Sequence, residues 1–281
     1  MNILGIDFED WYHPELVNQH LSEKDKKPIM AKHIDEVLEW LNENETIATF
    51  FLVGELIKNE PDLIDKIFSE GHEIGFHTMD HKRIDIIGGE EKFSEGIKEF
   101  SKLTNKKSKG FRAPTFSLNK KSSWLIDSLV ENNYLYDSSV VPIKTRLYGI
   151  PNAPKIPYRI SSNSLNKDNE SGEIIEFPIL SGKFLGKNIP AGGGFYLRFL
   201  PMYVIKNIIK NNEKANNPCT FYIHSWELLA EHMPRIKLPR KEKFITYHNI
   251  EKAKRKMTEI IQEFQFTSFE NFMKNNKINF L

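Results

Sequence analysis

Short apolar runs rich in β-branched and aromatic residues alternate with helix-patterned segments along most of this chain. No other feature constrains the fold as strongly. "NILGIDF" (2–8), "TIATFFLVG" (46–54), "HEIGFH" (72–77), "KGFRAP" (109–114), "YLYDSS" (134–139) and "CTFYIH" (219–224) read as strands. Continuous apolar character, as in "TIATFFLVG", suits a strand buried on both faces of a parallel sheet. Between them, Ile34, Val37, Leu38 and Leu41 recur at helical spacing, as do Phe93, Ile97 and Phe100. "PDLIDKIFSEG" carries Pro at a helix start and Gly just past its end. "SSWLIDSLVENN", "PMYVIKNIIKNN" and "HNIEKAKRKMTEIIQEF" complete the helices, the last buried through Met257, Ile260, Ile261 and Phe264. Repeated βα units predict an α/β fold with a parallel sheet or barrel.

Residues 142–195 interrupt this rhythm. They hold six prolines, the polar run "SSNSLNKDNESG" and "AGGGF". We read them as an irregular insertion in a single domain spanning 1–281, with hairpins near 158–160 and 174–179. The three glycines of "AGGGF" suit either a close backbone approach to a ligand or a flexible turn.

Of 281 residues, 40% are hydrophobic and 27% charged, with a net charge of +1, so neither disorder nor a nucleic-acid partner is indicated. A lone Cys219 leaves no internal disulfide to form. "MNILGIDFEDW" lacks a basic leader, and no run approaches the roughly 18 apolar residues of a membrane span. The expectation is a cytoplasmic protein without an integral membrane segment; its oligomeric state stays open.

Polar, titratable groups stand where strand after strand ends. Asp7, Glu9 and Asp10 close the first strand, His77 the third, Arg112 the fourth, Asp137 the fifth and His224 the last. The carboxyl ends of parallel strands are where α/β folds bind ligands. Strand alternation puts Asp7 and Glu9 on one face and Asp10 elsewhere, unless the strand has already ended. "HTMDH" sets His77 and His81 four apart, which on a helical turn would put both imidazoles on one side. Two histidines and one carboxylate leave positions open on a divalent ion for water and substrate. Alone, each of these signals also describes an ordinary surface residue; their recurrence at successive strand ends is what points to a site.

"TFFLVG", "GHEIGFHTMDH", "FRAP" and "YIHSWE" occur in an order that resembles the polysaccharide deacetylases of the NodB-homology type (carbohydrate esterase family 4), over residues 2–140 and 218–270. "DFEDWYH" and "YDSS" look like the subgroup of surface- and exopolysaccharide clusters. The resemblance implies an irregular (β/α) barrel and a divalent metal held by one acid plus His77 and His81. Zn²⁺ comes first, with Co, Mn, Ni or Fe as alternatives. It implies Arg112 orienting a catalytic base, His224 as general acid, and an oxyanion N–H near Thr115. Where the family has two adjacent aspartates, this chain has D-F-E-D. Glu9 as base with Asp10 as ligand and Asp7 as base with Glu9 as ligand are both alignable; the expectation taken forward is Asp7 as base, Asp10 as ligand and Glu9 close by. Trp11, Thr115, Asp137 and Trp226 are expected to bind substrate, with Tyr12, Phe195 and Tyr196 as further rings that could stack on sugars. The implied reaction removes an acetyl group from an N-acetylated sugar or glycan, with an intracellular nucleotide- or lipid-linked precursor as the expected form. The alternatives are hydrolysis of a cyclic imide or ureide, and an inactive glycan-binding protein. A two-histidine, one-carboxylate iron oxygenase would call for a jelly-roll pattern, which this chain lacks.

Overall fold

In the computed structural model, residues 1–105 and 107–278 are described. The strands are β1 (Asn2–Phe8), β2 (Thr49–Leu52), β3 (Glu73–Phe76), β4 (Gly110–Phe111), β5 (Tyr136–Asp137), β6 (Tyr158–Ile160), β7 (Ile174–Glu176), β8 (Ser181–Phe184), β9 (Lys187–Pro190), β10 (Thr220–His224) and β11 (Phe266–Thr267). One sheet runs β10-β1-β2-β3-β4-β5-β7-β6, with β11 also on β1, and β8-β9 forms a separate hairpin. Every pairing in the large sheet is parallel except β6 with β7. The sheet curls until the segment after β7 meets β10, through bridges Ile179 to Thr220 and Gly193 to Tyr222. The irregular stretch therefore contributes to the curled sheet itself: β7 lies against β5, and residues 179–193 run beside β10.

Alternation along the strands divides the apolar residues into two cores. Leu4, Ile6, Phe8, Phe50, Leu52, Ile74, Phe76 and Phe111 face the helices, packing with Val37, Leu41, Phe93, Ile97 and Phe100. Ile3, Phe51, Tyr136, Ile175 and Phe177 face inward, where Phe269 and Phe272 of helix Phe269–Asn275 fill the space beside the strand starts. Each buried Phe stabilises by roughly 1.5–3 kcal/mol. Inward positions at the other end of the strands are polar. Asp7 and Arg112 lie directly above that apolar plug, with the guanidinium carbon 4.1 Å from the Phe51 ring centre.

The interior is narrow, and Gly5 makes room for Arg112. A Cβ added at Gly5 would stand 2.7 Å from Nη1 of Arg112 and 2.9 Å from the Phe51 ring.

Candidate functional site

The ends of β1 and β3 bring Glu9, His77 and His81 together, with one possible ligand atom from each lying within 4.8 Å of the others. Both imidazoles are aimed by carbonyls. Nδ1 of His77 lies 2.7 Å from the Arg112 carbonyl, and Nδ1 of His81 lies 3.2 Å from the His13 carbonyl. A carbonyl can only accept, so each Nδ1 carries the proton and each Nε2 is left with a lone pair. This outer contact fixes the ring and its tautomer as metal-ligating histidines require. Burial pushes His77 down to about 4, so it is neutral near pH 7. Glu9 is held ionised: burial acts against its charge but is outweighed by His81, His224 and His77.

Oε2 of Glu9 is buried without a hydrogen-bond donor, 2.5 Å from Nε2 of His81. Two lone pairs in that position need a proton or a cation between them. The donor set is thus what a divalent ion of the Zn²⁺ type takes, two imidazole nitrogens and one carboxylate oxygen. A proton on His81 would satisfy Glu9 when no ion is there, so ion and proton compete.

The histidine pair is not helical. Residues 77–83 form a loop in which Thr78 and His81 take left-handed backbone angles, φ 61° and 54°. Helix Gly54–Asn59 holds this loop by its first turn, where the N–H groups of Gly54 and Glu55 donate to the carbonyls of Thr78 and Met79. Helix-start donors have no partner within their own helix; here they shape the ligand loop. A helical turn would have aimed the rings by i, i+4 spacing alone, whereas this loop reaches the same convergence through strained angles.

Two charged constellations flank Glu9, His77 and His81. On one side Nη1 of Arg112 lies 2.6 Å from Oδ1 of Asp7, while its Nε and Nη2 donate to the carbonyl and hydroxyl oxygens of Ser138. Arg112 is completely buried, and removing one partner of such a pair costs roughly 3–5 kcal/mol. On the other side Nδ1 of His224 bonds Oε2 of Glu227 at 2.7 Å, and Oε1 of Glu227 lies 2.5 Å from Nε of Arg198. Burial alone would lower the His224 pKa; Glu227 outweighs it and the net shift is upward. Nε2 of His224 is 3.9 Å from Oε1 of Glu9, which places it at the rim of the Glu9, His77 and His81 group. Neither Glu227 nor Arg198 was anticipated from sequence. Glu227 stands three residues after His224 in "HSWEL", a spacing that suggests such a contact; Arg198 in "FYLRFLP" gives no signal.

Asp10 does not join the site. Its carboxylate accepts from the N–H groups of Ile29, Met30 and Trp11, so both oxygens are spent on backbone. β1 ends at Phe8, yet the residues after it keep the strand's sidedness, leaving Glu9 with Asp7 and turning Asp10 outward. Its task is to fold the loop whose His13 carbonyl aims His81. Trp11 is likewise outside, with its indole N–H donating to the Lys27 carbonyl. Asp137 is fully buried, away from the cavity. It accepts from Ser139 and pairs with the Glu176 carboxyl, and burial lifts it to about 6, so the two acids share a proton. That pair anchors the turn whose Ser138 grips Arg112. Trp226 lines the cavity, but its indole N–H donates to Oε1 of Glu9 at 2.8 Å and its ring stacks on His224 at 4.4 Å. It positions those two residues. Thr115 forms part of the wall, in a left-handed conformation at φ 54°. The glycine run meets β10: a Cβ at Gly193, where φ is 140°, would stand 1.8 Å from the Tyr222 carbonyl oxygen.

Asp7, Glu9, His77, His81, Thr115, His224 and Trp226 open onto one cavity of about 320 Å³. Leu147, Tyr148, Phe195 and Tyr196 from the irregular stretch and its continuation wall it, as do Phe116 and Tyr222.

Comparison with known proteins bears on this arrangement. Residues 24–130 match the family described as polysaccharide deacetylase, and 138–274 match a domain of unknown function, DUF3473. A peptidoglycan-N-acetylglucosamine deacetylase of Bacillus cereus is 27% identical over 149 residues, 52% of this chain and 54% of that protein. A chitooligosaccharide deacetylase of Bradyrhizobium is 44% identical over 46 residues, 16% of this chain and 21% of the other. Over residues 24–130 the chain is thus similar to the polysaccharide deacetylases. It spans about half the length of the first of these relatives and less of the second. Among solved structures, a Mycobacterium smegmatis protein assigned to the polysaccharide deacetylases superposes with a TM-score of 0.60 at 14% identity, covering 99% of this chain and 91% of that one. Puue Allantoinase superposes at 0.53, also at 14% identity, covering 95% and 86%. At such identities these two likenesses speak to the fold, which is the irregular barrel of the polysaccharide deacetylases.

Proposed function

We propose that this chain is a metal-dependent deacetylase that hydrolyses the N-acetyl group of an amino sugar in a cell-surface glycan or its precursor. The observation that carries the reading is the convergence in one cavity of Glu9, His77 and His81 with an arginine-held carboxylate on one side and a carboxylate-held histidine on the other.

A divalent ion on Glu9, His77 and His81, Zn²⁺ by donor type, would polarise the acetyl carbonyl and acidify a water molecule. The chain's own groups do the rest. Arg112 occupies Oδ1 of Asp7, leaving Oδ2 to take the proton from that water. A backbone N–H beside Thr115 is the group to meet negative charge on the former carbonyl oxygen. Glu227 keeps the Nδ1 proton of His224 in place and favours the charged ring, so Nε2 gives its proton to the leaving amine. The C–N bond breaks, and acetate and a free amino sugar leave. Tyr148, Phe195 and Tyr196 offer faces on which a sugar ring can stack.

The test is acetate release from N-acetylglucosamine oligomers, peptidoglycan fragments, nucleotide-linked N-acetyl sugars and a cyclic ureide, with stripped and Zn²⁺-loaded protein. Acetate and free amine formed in equal amounts by the loaded protein alone would support the proposal. Turnover of the ureide with no acetate from any sugar would overturn it.

A further inference from the structure

Outside the cavity, His33, Glu36 and His232 form a second group of donor atoms within 4.8 Å of one another. His33 immediately precedes helix Ile34–Glu43, and Glu36 lies in that helix's first turn. His232 comes from the loop that follows helix Ser225–Leu228, just downstream of His224. Nδ1 of His33 is 2.8 Å from Oε1 of Glu36, and Nε2 of His232 is 3.0 Å from the same oxygen. The imidazoles stack face to face, with centroids 3.5 Å apart and planes inclined by 19°.

Nδ1 of His33 and Nε2 of His232 converge on one carboxylate oxygen, Oε1 of Glu36. In a tetrahedral site with bonds of ~2.0 Å, donor atoms stand roughly 3.3 Å apart. The two N–O separations fall short of that by a few tenths of an ångström, within reach of side-chain rotation. Among the described residues, neither opposite ring nitrogen has a hydrogen-bond partner, so each ring can move its proton there and free the inner lone pair. All three side chains are partly exposed, which gives an ion access and leaves room for water as a fourth ligand.

We infer that His33, Glu36 and His232 form a second divalent-metal site, distinct from the cavity and suited to Zn²⁺ or another ion with affinity for imidazole. An ion there would tie the start of helix Ile34–Glu43 to the loop beyond His224, bracing the segment that carries the proposed acid. It would be the weaker of the two sites, because its ligands are more exposed and their rings are free to turn.

The test uses untagged full-length chain, stripped of metal and titrated with Zn²⁺ by equilibrium dialysis. Wild type, His232→Gln, His77→Ala and the double variant are compared. Glutamine still donates to Glu36 and keeps the fold while removing an imidazole ligand. The expected result is that His232→Gln lowers the Zn²⁺ count by one equivalent, both in wild type and in the His77→Ala background. Zn²⁺ should raise the melting temperature of His77→Ala and leave the double variant unmoved. An unchanged count on His232→Gln in either background would overturn the inference, whether or not the cavity proves to be a deacetylase site.

Discussion

Glu9 and Asp10 are adjacent, chemically alike and given opposite work by one turn of the backbone. Strand alternation already pairs Glu9 with Asp7, and the structure keeps that sidedness past the end of β1. Alignment of the D-F-E-D stretch left either Asp10 or Glu9 as ligand, because it counts positions without saying which way a side chain leaves the strand. The split has a measurable consequence. Asp10→Asn should cost about 1–3 kcal/mol in chemical denaturation, since it weakens a buried acceptor of three N–H groups, yet it should keep the bound metal. Glu227 makes a second residue-scale prediction. It holds the His224 pKa up, so Glu227→Gln should let that pKa fall. The proposed reaction needs His224 protonated, and the alkaline limb of kcat/KM against pH should therefore move to lower pH. An unmoved limb would remove His224 as the acid. The placing of His77, Arg112 and His224 at strand ends was legible because each follows an apolar run; Arg198 was not, since nothing in its helix announces a buried ion pair, and Glu227 was marked only by its spacing from His224.

At the scale of elements, the strands and the helices between them were readable because period and burial agree. Elements that depend on tertiary partners were not. Helix Phe269–Asn275 plugs the barrel through contacts with distant strands, and helix Gly54–Asn59 matters for what its first turn grips. The loop carrying His77 and His81 was not legible as such, because H-x-x-x-H spacing carries no information about left-handed angles at Thr78 and His81. In β1, Gly5 lies under the guanidinium that holds Asp7. Gly5→Ala should displace Arg112 and depress kcat by about tenfold or more, while KM changes little, because the loss falls on the base. Equal activity in a folded Gly5→Ala protein would show that the Asp7–Arg112 contact has no part in the reaction.

The molecule buries titratable groups at both ends of the barrel, and this makes its stability depend on pH. At the strand starts Glu73 is buried under Thr49, Tyr136 and the N–H of Glu270, and burial lifts it from 4.5 to about 7. A carboxyl whose pKa is raised by folding is stabilising while protonated. Its contribution is complete below the ordinary value of 4.5 and is lost as pH rises through about 7. Chemical denaturation between pH 5 and 8 should show stability falling across that window (a slope set by roughly one proton). Glu73→Gln should flatten the curve; an unchanged slope would place the proton elsewhere. The barrel was foreseeable from the βα rhythm, but the way residues beyond 142 complete its wall and enclose the cavity was not. Proline and glycine there mark irregular backbone without revealing that it runs beside β10.

The proposed chemistry turns on Glu9, His77 and His81 holding an ion against which Asp7 and His224 would act. The most direct measurement counts tightly bound metal and acetate release together in wild type and Glu9→Gln, on whichever N-acetyl sugar wild type turns over. Loss of the tight ion, with activity down by about 10²-fold or more, is the expected result. A Glu9→Gln protein that keeps its ion, or a wild type that releases acetate equally fast once stripped of metal, would contradict it.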